Sequence, residues 1–441
     1  AGTLLGQITL IITIPIQLRF LGTEQFGLIA LFNAFVVAST LVDAGIGPTA
    51  LRFIARSERN KTLLAHVVAS SITVISIIAT ITATTIIGGG LIYSLTISNE
   101  PLAGSIKPWL FGLCIGLSIA TSMFASFGLS ILRGLRHYRQ FAIVESLSRT
   151  ATPIIITIAA IYTKDVKICI VASSTWSALI AVLTLVYASN KTRLKIRLTL
   201  NLRFFKRRMF NFGRWVWIQS IAAYFGSQID RFVVAGFLSL SALAAYSIAM
   251  SIANALVAAV TAGGGFILPE AASRSTNHDW LRSTFRRATF AFSALSATCI
   301  CLAIPFLPMF LNLWVGQPMK EAVLPLILAL LWVAANSITS APANYLLNAM
   351  GKTREAAIYS IAGNISITAM VLFGGTIAEV VGVLGGKLGS IAVGFAIRFH
   401  ITKSVFHEKY PLRFTLSIIW PTILGASIAI PISYMLLVNR N

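Results

Sequence analysis

The chain has 441 residues, of which 56% are hydrophobic and only 11% charged, and its mean hydropathy is +0.83; soluble domains carry roughly 25% charged residues. Such a composition leaves no room for a separate soluble domain and requires an integral membrane protein, because apolar runs of about 18 or more residues, each able to cross about 30 Å of hydrocarbon as a helix, recur along its whole length. The net charge of +22 would suggest a nucleic-acid partner in a soluble protein, but here its location carries the information.

Thirteen membrane-spanning helices are expected, at 1–20, 25–51, 63–94, 108–132, 141–162, 168–189, 212–238, 242–269, 288–311, 321–347, 356–377, 380–402 and 415–437. The chain begins at Ala1 without Met and is apolar from Leu4, so a few residues, including a basic start to the first helix, are expected to precede it. With the N-terminus in the cytoplasm, the even-to-odd connections hold 24 of the 35 Lys and Arg, whereas the opposite loops hold Lys107, Lys164, Lys167 and Lys320. This bias sets the orientation by the positive-inside rule and assigns most of the charge to topology and to contact with anionic membrane lipids. Cys114, Cys169, Cys299 and Cys301 all lie in apolar runs, and Cys299 and Cys301 point about 200° apart on a helix, so neither disulfides nor metal chelation are expected.

The densest basic segment, NKTRLKIRLTLNLRFFKRRMFN at 190–211, falls between the sixth and seventh spans and reads as a linker between two halves. An offset of 218 places Gly27, Gly45, Gly47, Arg56 and Ser57 on Ala245, Gly263, Gly265, Arg274 and Ser275, and an offset of 217 places Gly134 on Gly351. Six-helix units that begin and end on one side share a topology, as in transporters built from parallel repeats, whose substrate path lies between the lobes. The expected division is an N-lobe at 1–189, a basic cytoplasmic linker at 190–211, a C-lobe at 212–402 and an extra helix within 403–441.

Several stretches carry a family likeness: PIQLRFLGTEQFGLIALFNAF, LVDAGIGPTALRFIARS, ILRGLRHYRQF, QIDRFVVAGFLSLSALAAYSIAMSI and LLNAMGKTREAAIYSIAGN. In order and in placement at helix ends they resemble the polysaccharide flippases of the multidrug/oligosaccharidyl-lipid/polysaccharide exporter superfamily, in particular the Wzx-type O-antigen flippases. The resemblance implies an all-α polytopic fold of two pseudo-symmetric six-helix lobes that alternates between inward- and outward-facing forms in the bacterial inner membrane. It implies an undecaprenyl-diphosphate-linked oligosaccharide as substrate, H+ or Na+ as coupling ion, no cofactor, and polysaccharide polymerase and chain-length regulator proteins as partners. Members with 14 helices have two beyond the lobes; here either a fourteenth lies beyond Asn441 or the chain stops at thirteen.

A diphosphate crossing a low-dielectric interior needs cations, and charges at membrane depth are costly enough to be functional candidates by default. The expected cavity cations are Arg19, Arg149, Arg231 and Lys387, with Arg52, Arg56 and Arg274 at cytoplasmic helix ends, and the ion-coupling candidates are Asp43, Glu145 and Asp230. Arg214 and Arg398 lie nearer the span ends. Glu145 and Arg149 are spaced i, i+4, which serves either mutual neutralisation or presentation of the arginine fork to phosphate. Arg19 matches by position an arginine of the related lipid II flippases, although it can also snorkel to the interface. Asp43, beside Gly45, Gly47 and Pro48, either titrates during transport or serves as a structural hydrogen-bonding group, and the cluster Gly263, Gly264, Gly265 and Pro269 makes a similar bend plausible in the eighth span. Lys387, flanked by glycines, either attracts diphosphate or reaches the headgroups. Asp230 and Arg231 point about 100° apart on a helix, so each needs its own partner.

Nothing in the sequence has the spacing of an enzyme or ATP-binding site. Three other readings remain: a multidrug or organic-cation exporter of the same superfamily, a membrane-embedded glycosyltransferase or polymerase, and a channel or structural protein. An exporter calls for an acidic or apolar cavity, and a glycosyltransferase for a larger outer loop than the roughly 13 residues available here.

Overall fold

The computed structural model describes residues 2–43, 45–57, 60–96, 100–102, 104–192, 210–262, 278–315, 320–339, 347, 353–404, 415–417, 419–425, 427–428 and 431. Its regular secondary structure among these residues is helical apart from one isolated bridge, Leu102 to Ile106. The chain divides into two compact units, Ala1–Tyr224 and Phe225–Asn441. The division falls inside one helix, and residues 193–209 of the basic segment lie outside the described residues.

Unit 1 is built from α1 (Gly2–Val37), α2 (Ser39–Val42), α3 (Ile46–Ser57), α4 (Lys61–Thr96), α5 (Pro108–Gly134), α6 (Tyr138–Thr163), α7 (Val166–Thr192) and the first part of α8 (Phe210–Phe237). The first two expected spans are both in α1, parted at Gly22, whose φ of 81° suits only a residue without a Cβ. The second span is itself interrupted: α1 ends at Val37, α2 is a single turn, and Gly45, at φ 69°, precedes α3. The sequence reading of a loosened helix around Asp43 is thus realised as a break. Helix breaks inside a membrane are tolerated only where the freed backbone groups find other partners. Here Tyr224 Oη donates to Ala34 O at 3.3 Å and Trp217 Nε1 donates to Leu41 O at 2.7 Å, both from α8.

Helix α5 is the centre of unit 1, packed against α4, α7 and α3. It meets α4 through glycines: a Cβ on Gly112 would lie 3.1 Å from Gly90 Cα and 3.2 Å from Ile86 O, so the two backbones touch. Small residues allow this approach, which drives helix association where lipid provides no hydrophobic contrast. The turn from α5 to α6 closes with His137 N donating to Leu132 O at 2.8 Å and Arg136 N donating to Arg133 O at 3.2 Å, around Arg136 in the left-handed region (φ 61°). That is a Schellman ending with an arginine where glycine is usual.

Unit 2 contains the rest of α8, then α9 (Leu240–Ala262), α10 (His278–Val315), α11 (Lys320–Thr339), α12 (Thr353–Gly389) and α13 (Ile391–Ser404). Helix α11 packs on α9, α10, α12 and α13. The eleventh expected span and the first part of the twelfth run together in α12 across a kink at Ala378 and Glu379, where Glu379 has φ 48°, and the twelfth continues in α13 after a break at Ser390. The described parts of 415–431 are helical, and they dock on α10: Ser293 and Thr422 hydroxyls are 2.8 Å apart, and Gly425 faces Ala297. The Gly263–Gly265 cluster and Pro269 lie outside the described residues.

Candidate functional site

Within unit 1, α1, α3, α5, α6 and α7 enclose a cavity of about 560 Å³. Its α5 wall is a ladder of Ser118, Ser122, Ser126 and Ser130, spaced four residues apart and therefore on one face, which ends in Arg133. Glu145, Ser148, Arg149 and Thr152 enter from α6, and Ser173, Trp176 and Ser177 from α7. Several of these hydroxyls donate to carbonyls of their own helices, including Ser130 to Ser126 O at 2.9 Å, Ser148 to Glu145 O at 2.9 Å and Thr152 to Ser148 O at 3.0 Å. Each then retains lone pairs that can accept. The buried indole N–H of Trp176 has no hydrogen-bond partner among the described residues.

Arg149 donates through Nε (3.2 Å) and Nη2 (3.1 Å) to the same oxygen of Glu145, and among the described residues Nη1 has no acceptor. The arginine side chain is 51% exposed and its glutamate 25%. The pair is ion-paired, and both of its residues line the cavity. Arg133, also exposed, has its guanidinium 5.6 Å from the Phe141 ring centre.

Asp43 is buried at the break between α2 and α3, where Oδ2 accepts the Gly47 N–H at 2.9 Å. Its Oδ1 is buried with no partner among the described residues. A Cβ on Gly47 would lie 3.5 Å from Ser126 Oγ and 3.6 Å from Ser130 Oγ, so Asp43 and its turn sit against the serine ladder. Arg19, near the Gly22 kink, is exposed, as is Arg52 on α3, and neither lines the cavity. The side chains of Arg56 and Arg214, and all of Arg274, lie outside the described residues.

Unit 2 collects its charges differently. Lys387 Nζ is ion-paired with Asp230 Oδ2, and the side chains are 1% and 2% exposed. Tyr246 Oη donates to the same carboxylate oxygen, while the Arg231 backbone N–H donates to Oδ1 at 2.9 Å. The ammonium also lies 4.5 Å from the Trp332 ring centre. Asp230 thus has the partner of its own that the helix geometry demanded, but Lys387 is neither in the headgroups nor open to a passing diphosphate. A fully buried ammonium is tolerable only when paired, and α12 places the carboxylate of α8 beside it. Arg231 is half-buried. Arg398 is wholly buried: Nη1 donates to Ile338 O at 2.8 Å, the guanidinium carbon lies 4.9 Å from the Phe285 ring centre, and Nε and Nη2 have no partner among the described residues.

The sequence reading passed over the serine ladder, Arg133 and Trp176. The four-residue serine spacing on α5, continuing to Arg133, was the available signal. No sequence signal pointed to Trp217 and Tyr224 as partners of a broken backbone.

Among solved structures, the chain is similar to one described as lipid II flippase MurJ in an inward closed conformation, at 15% identity and a TM-score of 0.71 over 99% of this chain and 96% of that one. It is also similar to an inward-facing multidrug resistance MATE family transporter of the MOP superfamily, at 14% identity and a TM-score of 0.66 over 90% and 94% of the two chains. At such identities the likeness establishes the fold: an all-α polytopic membrane protein of the MurJ and MATE kind. No curated protein matches the chain in sequence. The model of the family described as "Polysaccharide biosynthesis protein" matches residues 1–269, more than half of the chain and the whole cavity of unit 1. The chain therefore belongs to the polysaccharide biosynthesis protein family.

Proposed function

We propose that this protein is a flippase that carries an undecaprenyl-diphosphate-linked oligosaccharide, an O-antigen or related repeat unit, from the cytoplasmic to the periplasmic leaflet of the inner membrane by alternating access, acting as a transporter and not an enzyme. The observation that carries this reading is the cavity of unit 1, where Arg133 ends a ladder of serine hydroxyls on α5 and Arg149 enters from α6, in a family tied to polysaccharide biosynthesis. A guanidinium with a free edge suits phosphate oxygens, and hydroxyls with an indole N–H suit sugar hydroxyls. Arg149 is accordingly the leading substrate cation. Arg19, Arg52, Arg56, Arg231 and Arg274 are secondary, and Lys387 acts by holding Asp230.

Coupling to H+ or Na+ falls to Asp43 in this reading. Glu145 is paired with Arg149 and Asp230 with Lys387 and Tyr246, whereas Asp43 keeps a carboxylate oxygen without a partner among the described residues.

The test is reconstitution of the full chain into proteoliposomes with a fluorescent undecaprenyl-diphosphate-linked sugar, together with deletion of the gene. Translocation by the wild type, reduced severalfold in Arg149→Ala, is expected. Deletion should leave short lipid-linked units on the cytoplasmic face and remove the surface polymer. Normal polymer in a deletant that has no redundant flippase refutes the reading, and efflux of organic cations in its place favours the exporter alternative.

A further inference from the structure

Helix α6 has two working faces in its first half. From Tyr138 to Thr152 not one side chain is buried; the buried ones, Pro153, Ile156, Thr157 and Ala160, all come later. Glu145, Ser148, Arg149 and Thr152 line the cavity, whereas Arg139, Ile143, Leu147 and Thr150 line a second, shallow groove of about 530 Å³ that Leu5 of α1 completes. At 100° per residue the two faces are centred about 145° apart around the helix.

The groove is mainly apolar, with Ser146 and Thr150 as its hydroxyl-bearing residues. Leu5, Ile143 and Leu147 are 50%, 58% and 49% exposed, and the Thr150 hydroxyl is occupied by Ser146 O at 2.8 Å. From Arg139 to Thr150 it extends about 16 Å along the helix, which matches one leaflet of a hydrocarbon core about 30 Å thick. A cation, Arg139, stands at one end.

The groove adjoins the cavity where α1 packs closely on α6. A Cβ on Gly6 would lie 3.1 Å from Arg149 Cβ, and Gly6 is the residue after Leu5, so Arg149 emerges at the seam between α1 and α6 with the groove on one side and the serine ladder on the other. An apolar surface facing lipid would ordinarily hold bulk acyl chains. Here a leaflet-long apolar channel shares its wall with a polar, arginine-bearing cavity, an arrangement complementary to one long chain with an anionic, hydroxyl-rich head.

We propose that the groove formed by Leu5, Ile143 and Leu147 holds the polyprenyl chain of the lipid-linked substrate while its diphosphate head reaches Arg149 around α6. This rests on the flippase reading and adds to it the place where the tail lies.

The test uses the full chain in proteoliposomes, with the photoreactive residue p-benzoylphenylalanine in place of Ile143 or, as a control, of Leu183 on α7, which is 50% exposed. The probe is undecaprenyl diphosphate, and phosphatidylglycerol is the competitor. Position 143 should form severalfold more undecaprenyl adduct than position 183, with little change as phosphatidylglycerol is raised and a fall when Arg149→Ala is added. Equal adducts at both positions, or displacement by phosphatidylglycerol, overturn the proposal. The readout is binding, so it separates from the flippase reading: translocation without enrichment at 143 sinks the groove alone, and enrichment at 143 without translocation sinks the flippase reading while leaving the groove as a polyprenyl site.

Discussion

Removing Lys387 alone should damage unit 2 more than removing Lys387 and its partner together. The pair is 1% and 2% exposed, so Lys387→Met leaves the Asp230 carboxyl desolvated and without its cation, held among the described residues by Tyr246 and one backbone N–H. Breaking a buried pair from one side costs about 3–5 kcal/mol, whereas replacing both members with apolar residues of similar volume is often close to neutral. Asp230→Leu strands the ammonium in the same way, so independent effects would sum to about 6–10 kcal/mol. The double variant should instead lose only about 1–3 kcal/mol, because the buried Tyr246 hydroxyl is then left without its acceptor, and adding Tyr246→Phe should recover most of that. Reversible unfolding of the purified chain in mixed micelles, followed by helical circular dichroism, measures each corner of the cycle. A double variant as unstable as the sum of the singles would refute the reasoning.

Three further outcomes follow from unit 1. Arg149→Ala should reduce transport severalfold in the proteoliposome assay yet change stability by less than about 1 kcal/mol, since a half-exposed i, i+4 pair contributes little; a melting point far below wild type would assign the pair a structural role. Gly112→Val should destabilise by about 1–3 kcal/mol or more, because the nearest atoms to the new Cβ are backbone atoms of α4 that cannot rotate away; the yield of folded chain after solubilisation reads this, and a wild-type yield would contradict the close α4–α5 contact. Gln17→Leu removes the donor to Thr157 Oγ1 (2.9 Å) and Pro153 O (3.3 Å), but Thr157 itself still donates to Pro153 O at 2.7 Å, so a loss of only about 1 kcal/mol is expected in the same unfolding assay.

Much of the architecture was legible because lipid simplifies the reading. Each span must be an apolar helix that satisfies its own backbone, so hydropathy alone locates most of it: every expected span with described residues contains helix, although the second is broken between Val37 and Ile46 and the twelfth at Ser390. The Glu145–Arg149 pair was equally legible, since both residues lie on one helix at a spacing that brings them together. Lys387 was not: its partner is 157 positions away on α8, and only the packing of α12 decides whether a lysine among glycines meets a carboxylate or the headgroups. The serine ladder lay in plain view, but serines in a membrane helix commonly bond to their own carbonyls, and nothing along α5 marks which face lines a cavity.

The sequence by itself determined that this chain spans a membrane many times, roughly where its apolar helices lie, and that its basic residues crowd into alternate loops. Those properties depend on local composition and on the 1.5 Å rise of a helix set against a fixed thickness of hydrocarbon. Only the tertiary structure decided which charges are already satisfied and which still offer an atom: Asp230 is closed by Lys387 and Tyr246, while among the described residues Arg149 keeps Nη1 and Asp43 keeps Oδ1. The reason is physical. The cost of a charge in a low dielectric depends on what stands within a few ångströms of it, and in a helical membrane protein that neighbour almost always belongs to another helix.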